Sequence, residues 1–228
     1  MTEPEVRIVC AGDSALVIEL PPRFDDETSA RVVAMAEAAR RRFGFALRDA
    51  VVGYHTLTVY FDPLRIDARW FEEQLEVVAR EDHRETSSPR AAIEVPVRYG
   101  GDFGPDLATV AQQAGISDEE VIALHTGRDY RVFVVGFVPG FAYMGPVDPK
   151  LALPRRSNPR TRVPAGSVAI AAGQTGIYPV ETPGGWHIIG RTPIRPFDDS
   201  RAEPSLFHPG DRVTFRKVDR EPFGEAIG

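Results

Sequence analysis

The sequence predicts an α+β protein with two domains, an α/β sandwich over residues 1–80 and a β-barrel over residues 91–228. Two observations predict this fold class. Residues 6–80 alternate β-rich and helical segments, which favours a small split β-α-β sandwich of ferredoxin-like kind. Beyond residue 90, short strand candidates are separated by Gly/Pro turns, which is typical of a closed or nearly closed barrel with helices on one side.

The first domain is predicted to follow the order β-α-β-β-α. Its segments are a strand at 15–20, a helix at 27–42, strands at 50–54 and 57–61, and a second helix capped by Asp67. Pro21 closes the first strand, and Gly44 is a natural stop for the first helix. In the second helix, Phe71, Leu75 and Val78 recur at helical spacing, which gives it one apolar face.

Residues 81–90 are charged or small and contain nothing to bury, so they are predicted to be a linker. The strand candidates of the second domain are 92–97, 130–137, 167–172, 177–180, 187–191 and 212–218. Two helices lie between them. Pro105 and Asp106 suit the start of one helix, and Ser117 to Glu120 match a capping box for the other.

The composition is that of a soluble globular protein: 228 residues, 43% hydrophobic and 26% charged. A net charge of -6 argues against nonspecific nucleic-acid binding. No apolar run approaches the roughly twenty residues of a membrane helix, and the acidic start differs from a secretory signal, so a cytoplasmic protein is expected. Cys10 is the single cysteine, which excludes an intrachain disulfide, and it is predicted to be a small buried hydrophobe.

Three catalytic systems find no support in the sequence. Neither Lys150 nor Lys217 follows the glycines of a P-loop, so ATP phosphates are not held in that way. There is no G-x-S-x-G elbow of a serine hydrolase. The five histidines have no metal-ligand spacing, so no metal is expected. His187 is the histidine to test as a catalytic proton carrier; the alternative is a polar strand residue.

The strongest local signal is a segment with four arginines within eight residues, stiffened by three prolines. The arginines are Arg155, Arg156, Arg160 and Arg162. Like charges so close repel unless anions neutralise them, and guanidinium pairs well with carboxylate or phosphate. The segment therefore predicts anion binding or docking to an acidic partner, with Arg155 and Arg160 in catalytic roles and Arg156 and Arg162 binding substrate. The alternative is a solvated loop paired to nearby Asp and Glu.

Two glycine-containing segments are candidates for a polar pocket. Residues 173–176 and 183–186 can turn backbone N–H groups toward a bound oxygen, since glycine permits a positive φ. Side chains in and beside these segments suit a small amide or acid. The predicted substrate-binding residues are Gln174, Thr175, Tyr178, Gly184, Gly185 and Trp186, together with Phe141 and Tyr143 of the shaped loop at 136–143. The aromatic residues among them could instead be packing residues.

The same motifs resemble the family of the B subunit of bacterial 5-oxoprolinase, also called allophanate hydrolase subunit 1 or KipI-type kinase inhibitor. The motifs are G-F-V-P-G-F-A-Y at 136–143, P-R-R-S-N-P-R-T-R at 154–162, A-G-Q-T-G-I-Y-P at 172–179 and P-G-G-W-H-I-I-G-R-T-P at 183–193. Y-G-G-D-F-G-P-D-L at 99–107, Leu124-His125 and Pro209-Gly210-Asp211 add to them. The likeness runs from about residue 6 to residue 218.

The resemblance implies a cyclophilin-like barrel belonging to a carboxyltransferase domain. It implies an ATP-dependent opening of 5-oxoproline to glutamate, in which this chain acts with two partners, a larger, homologous C subunit and an A subunit. ATP would then be bound with those partners. Two alternatives stay open: a component of an allophanate hydrolase or urea carboxylase-like complex that processes amides, and an inhibitor that binds a sensor histidine kinase.

Overall fold

The computed structural model describes residues 6–81 and 91–219. The chain divides into two compact units, one ending at residue 89 and the other beginning at residue 90. The predicted linker at 81–90 lies, apart from Glu81, outside the described residues. Helices and sheets are segregated within each unit, so the predicted α+β class is confirmed.

The first unit is a four-stranded antiparallel sheet with two helices. Its elements are β1 (Arg7–Cys10), β2 (Ala15–Glu19), α1 (Asp26–Phe43), β3 (Leu47–Val52), β4 (Thr56–Phe61) and α2 (Ala68–Arg80). The strand order is β1-β2-β4-β3, so β4 lies between the two strands that α1 connects. Strand β1 is absent from the sequence-based prediction. Cys10, at its end, is exposed, so the prediction of a buried thiol was wrong.

Local sequence signals set the helix limits in this unit. The Asp25 carboxylate accepts a hydrogen bond from the Thr28 backbone N–H at 2.7 Å and so begins α1. Gly44, with φ of 53°, ends it. The apolar residues of both helices pack with inward side chains of β2 and β4, such as Ile18 and Val59, in a single core.

The second unit is built around a closed seven-stranded barrel. Its elements are β5 (Ile93–Tyr99), α3 (Leu107–Ala114), α4 (Asp118–Thr126), β6 (Asp129–Val135), β7 (Ala142–Gly145), β8 (Arg160–Val163), β9 (Ser167–Ala171), β10 (Gln174–Ile177), β11 (Thr182–Gly184), β12 (His187–Arg191) and β13 (Arg212–Lys217). The barrel order is β10-β7-β6-β13-β5-β12-β9, and only the β5–β13 pairing is parallel among the paired strands. Strands β8 and β11 form a separate two-stranded ribbon.

The sequence-based strand limits fail in the glycine-rich part of the barrel. Strands β7, β8 and β11 have three or four residues and were not predicted. The strand predicted at 177–180 lies at 174–177, because Gly176 reads locally as a turn residue although it pairs with Ala169. Arg160 and Arg162 consequently lie on a strand and not in the predicted loop.

Strand β9 separates two clusters of side chains, because successive residues of a strand point to opposite faces. Val168 and Ile170 belong to the main core, together with apolar residues of α3 and α4. Ala169 and Ala171 contact a smaller, mostly aromatic cluster that includes Trp186. Over the described ranges, no helix combines the length and the apolarity needed to cross a membrane.

Candidate functional site

A buried carboxylate organises the arginine segment. Asp106 lies at the start of α3, but its side chain makes no capping hydrogen bond and is 4% exposed. Its Oδ1 accepts from Arg156 Nη1 at 2.6 Å and Arg160 Nη2 at 2.8 Å. Its Oδ2 accepts from Arg160 Nη1 at 2.7 Å and the Ile188 backbone N–H at 2.8 Å. One carboxylate thus joins α3, the arginine segment and β12.

The charge of Asp106 is stabilised by these contacts. Burial by itself raises the pKa of this carboxyl, but the hydrogen bonds from Arg160 and Ile188 and the charges of both arginines outweigh burial and lower the pKa below its usual value. Arg160 binds the carboxylate through both Nη atoms, the two-point geometry in which Arg–carboxylate pairs are strongest. Arg160 is therefore held in place by the protein itself.

The other two arginines have different surroundings. Arg162 donates from Nε and Nη2 to the Glu181 carboxylate at 3.0 Å each, and both side chains are largely exposed. Within the described ranges, Arg155 makes no hydrogen bond or ion pair. It is exposed, and its charge lowers the pKa of Tyr143 and of Tyr178, although burial raises both values more. Three of the four arginines thus follow the alternative expectation of pairing with nearby carboxylates.

His187 lines a pocket of about 320 Å³ beside the arginine segment. The other lining residues are Thr109, Gln113, Pro154, Arg155, Arg156, Ser157 and Asn158. The His187 ring is 5% exposed, and its Nε2 lies 3.0 Å from the Pro154 carbonyl oxygen. Since a carbonyl oxygen only accepts, Nε2 donates this hydrogen bond. Nδ1 is buried without a hydrogen-bond partner in the described structure.

An aromatic cluster lies beside the arginine segment. The Phe141 ring is 4.8 Å from the Tyr143 ring, 5.2 Å from Tyr178 and 5.5 Å from Trp186, measured between centroids. Burial raises the pKa of Tyr178, and the nearby Trp186 backbone opposes this in part. Phe141, Tyr178 and Trp186 are almost fully buried, which makes them walls and supports of the site, and Tyr143 is partly exposed.

The glycines of the predicted pocket segments act mainly through close packing. A Cβ on Gly184 would lie 2.3 Å from the Tyr178 hydroxyl oxygen, so this ring needs glycine there. The Gly185 carbonyl accepts from the Arg156 backbone N–H at 2.8 Å. Gly173 has a positive φ of 79°, but Gly176 and Gly184 do not. Residues 174–176 lie in strand β10 and residues 183–184 lie in strand β11. The row of N–H groups around a bound oxygen stays a prediction for these two segments.

Thr175 lies away from the pocket. It is fully buried, and its Oγ1 is 2.8 Å from His125 Nε2 and 3.2 Å from the Ala169 carbonyl oxygen. His125 Nδ1 is 2.7 Å from the Tyr99 hydroxyl. The Tyr99 hydroxyl donates to His125 Nδ1, and His125 Nε2–H donates to the Thr175 hydroxyl. The Thr175 hydroxyl in turn donates to the Ala169 carbonyl. Thr175 is not among the residues that line the pocket beside His187, and its role in substrate binding stays a prediction.

Burial lowers the pKa of His125 to about 3, with a smaller contribution from the charge of Arg128. The ring is consequently neutral at physiological pH, and its two nitrogens have the fixed roles that the donor chain requires. The neighbouring Tyr99 hydroxyl is also buried, and its pKa is raised well above the usual value. This buried network joins strand β10 to α4 and to Tyr99 of β5.

The structure brings the main sequence-predicted segments together. Strand β8 pairs with β11, so that Arg160 lies opposite Gly184, and Arg156 bonds to Gly185. Gln174, at the start of β10, is half-buried and is not among the pocket-lining residues. Site residues missed from the sequence are Asp106, Thr109, Gln113, Ser157 and Asn158. For these residues the sequence offers one signal: Thr109 and Gln113 are four apart on a predicted helix, which places their side chains on one face.

Nothing in the described ranges suggests a metal centre. No cluster of three or more His, Cys, Asp or Glu side chains arranged for a metal ion occurs among residues 6–81 and 91–219. The charged groups at the pocket are guanidinium groups, which bind anions.

Comparison with known proteins identifies a family. Residues 6–207 match the family described as carboxyltransferase domain, subdomain C and D. The B subunit of 5-oxoprolinase from Bacillus subtilis (strain 168) is 37% identical over 226 residues, which cover 93% of this chain and 92% of the relative. The protein of the same name from Escherichia coli O157:H7 is 40% identical over 218 residues, which cover 92% of this chain and 94% of the relative.

Solved structures show the same likeness. The crystal structure of TTHA0988 matches with a TM-score of 0.82 at 38% identity, covering 91% of this chain and 41% of that chain. This chain therefore spans about two fifths of the length of that solved protein. The Kluyveromyces lactis urea carboxylase matches with a TM-score of 0.72 at 20% identity, covering 95% of this chain and 22% of that chain, which shows a shared fold alone.

Proposed function

The chain belongs to the family of carboxyltransferase domains, subdomains C and D, and we propose that it is the B subunit of a multi-subunit, ATP-dependent 5-oxoprolinase. The observation that carries the proposal is likeness over the full length: three relatives named as B subunits of 5-oxoprolinase are 37%, 40% and 38% identical and match over more than nine tenths of both chains. The motifs between residues 99 and 193 that suggested this family lie within the matched region, and Pro209-Gly210-Asp211 follows just after it.

The geometry supports a role in handling a small substrate. An enzyme subunit needs its candidate binding segments to converge. Here Arg155, Arg156 and His187 line one pocket, and the Arg156 backbone N–H is bonded to the Gly185 carbonyl. In the proposed reaction the lactam C–N bond of 5-oxoproline is hydrolysed to glutamate, with ATP converted to ADP and phosphate. Arg155, Arg156 and His187 would contact the substrate, and Asp106 would position Arg156 and Arg160.

The described residues of this chain do not fit an ATP site of the P-loop kind. Lys150 Nζ pairs with the Glu120 carboxylate at 2.9 Å, and Lys217 lies exposed on β13. We therefore assign ATP binding to the complex formed with the A and C subunits, and we expect this chain to be inactive by itself. We also propose that the complex is cytoplasmic.

The family likeness also suggests the finer architecture. We propose a ferredoxin-like first domain at residues 1–80, a linker at 81–90 and a cyclophilin-like barrel domain at 91–228. The β1-β2-β4-β3 sheet order and the closed barrel support this division.

The test is a coupled assay with purified chain and its co-expressed A and C subunits. We expect ADP release and glutamate formation that depend on 5-oxoproline and stop when this chain is omitted. Assembly without turnover of 5-oxoproline would contradict the proposal. Turnover of urea or another amide by the same assembly would favour the carboxylase-like alternative, and inhibition of a sensor histidine kinase by the chain alone would favour the regulatory one.

A further inference from the structure

Among the described residues, those that line the pocket beside His187 are cationic or neutral. Thr109 and Gln113, one turn apart on α3, form one wall, because residues four apart on a helix share a face. The segment from Pro154 to Asn158 forms the other. Arg155 and Arg156 are the charged groups among the lining residues, and neither Asp nor Glu is among them. Such a pocket favours an anionic ligand.

The two arginines of the pocket differ in how free they are to bind. Arg156 Nη1 is already bonded to Asp106 at 2.6 Å, and its side chain is 28% exposed. Arg155 is exposed and has no ion-pair partner in the described structure. The guanidinium of Arg155 is thus available for two-point pairing with a ligand carboxylate.

The neutral walls add a second kind of recognition. Gln113 and Asn158 are both exposed, and each carboxamide offers a carbonyl acceptor and N–H donors. A lactam ring holds its N–H and C=O on the same edge, so one carboxamide can donate to the carbonyl and accept from the N–H. The pocket volume of about 320 Å³ lies at the small end of the range for ligand sites, roughly 300 to 1,000 Å³, and suits a ligand of amino-acid size.

We propose that this pocket binds a small lactam acid, with Arg155 pairing with the carboxylate and Gln113 and Asn158 binding the lactam edge. The inference rests on the proposed function and assigns residues to its substrate. Gln113 and Asn158 determine the preference for a lactam. A lactone or a carbocycle of the same shape lacks the N–H that would donate a hydrogen bond to a carboxamide oxygen.

The test is a titration of the purified full chain, followed by NMR shifts of backbone amides, with three acids. These are 5-oxoproline, the lactone that has oxygen in place of the ring N–H, and cyclopentanecarboxylate. We expect shifts in residues 109–113 and 155–158, and a preference for lactam over lactone of about three- to tenfold, the effect of one neutral hydrogen bond. Equal affinity for lactam and lactone, or shifts confined to other residues, would overturn the proposal.

Variants separate the two parts of the pocket. Arg155→Gln should weaken all three acids by about ten- to a hundredfold, because a charge-assisted contact is lost. Gln113→Leu combined with Asn158→Leu should abolish the preference for the lactam while acid binding is kept. The matched control is Arg216→Gln on β13, which removes an exposed ion pair with Glu94 of β5 and should leave the affinity for all three acids unchanged. If the Gln113→Leu, Asn158→Leu double variant keeps the full preference for the lactam, the assignment of these two side chains to the lactam edge is refuted.

Failure of this inference and failure of the proposed function are distinguishable. If the assembled complex hydrolyses 5-oxoproline but the Gln113 and Asn158 variants keep the wild-type discrimination between lactam and lactone, the inference falls and the function stands. If the complex does not turn over 5-oxoproline while the chain binds the lactam with the expected preference, the function falls and the pocket assignment stands.

Discussion

The buried His125 makes the barrel unit sensitive to mild acid. Its pKa is about 3 in the folded protein, against an ordinary value of 6.5 for a histidine that is not buried. As the pH falls below 6.5, the unfolded chain takes up a proton that the folded chain does not, so the free energy of unfolding falls. The loss approaches about 1.4 kcal/mol per pH unit and amounts to about 2 kcal/mol between about pH 7 and about pH 5.

The pH window separates this effect from that of the carboxylates. The pKa of Asp106 is lowered in the folded protein, so its contribution to stability is present above its unfolded value of 3.8 and is lost only below that pH. Between about pH 7 and about pH 5 the histidine is therefore the main source of the expected change in the barrel unit.

The assay is urea unfolding at several pH values in a Trp70→Phe background. The chain has two tryptophans, and Trp186 is 4% exposed within the barrel unit, so its fluorescence then reports on that unit alone. We expect the free energy of unfolding to fall by about 2 kcal/mol from about pH 7 to about pH 5. His125→Gln should flatten this dependence, whereas His55→Gln, in the other unit, should leave it intact. A flat wild-type curve, or an unchanged slope in His125→Gln, would refute the reasoning.

Three further predictions concern the supports of the site. Asp106→Ala should lower the free energy of unfolding by about 2 to 4 kcal/mol, because two partly exposed guanidinium groups lose their buried anion. Urea unfolding followed through Trp186 fluorescence would measure the loss, and a value under about 1 kcal/mol would contradict the role of Asp106 as a support of the site. Gly184→Ala should lower the free energy of unfolding by about 1 to 3 kcal/mol, since the added Cβ would meet the Tyr178 hydroxyl. A variant as stable as wild type in thermal unfolding would show that the Tyr178 ring can move. Arg162→Gln should change stability by less than about 1 kcal/mol in the same measurement, because its ion pair is exposed, and a larger loss would mean that the pair does more than the geometry indicates.

The elements that sequence predicts well are those defined by local pattern. The helix predicted at 27–42 is found as Asp26–Phe43, and the strand predicted at 187–191 is found with the same limits. The Ser117 hydroxyl caps α4 by accepting from the Glu120 N–H at 3.1 Å, as the capping box predicts. These signals work because each depends on residues within a few positions of one another.

The site depends on partners that are far apart in the chain. Asp106 was predicted only to start a helix, yet its carboxylate binds arginines 50 and 54 residues away. Strand β8 is defined by its pairing with β11, in which Arg160 lies opposite Gly184. Nothing in its own four residues, two of them arginines, indicates a strand. Long-range pairing of this kind leaves no periodic trace in the sequence.

The distribution of charge also changes how the arginine segment has to be tested. The sequence assigns catalytic roles to both Arg155 and Arg160, so removing the two together is a natural test of activity. The structure shows that this double variant would combine two different effects, since Arg160 is bound to the buried Asp106 through both Nη atoms whereas Arg155 is exposed and unpaired in the described structure. A loss of function in the double variant would not separate lost binding from lost support. Arg155 alone can test binding, because its removal leaves the Asp106 contacts in place.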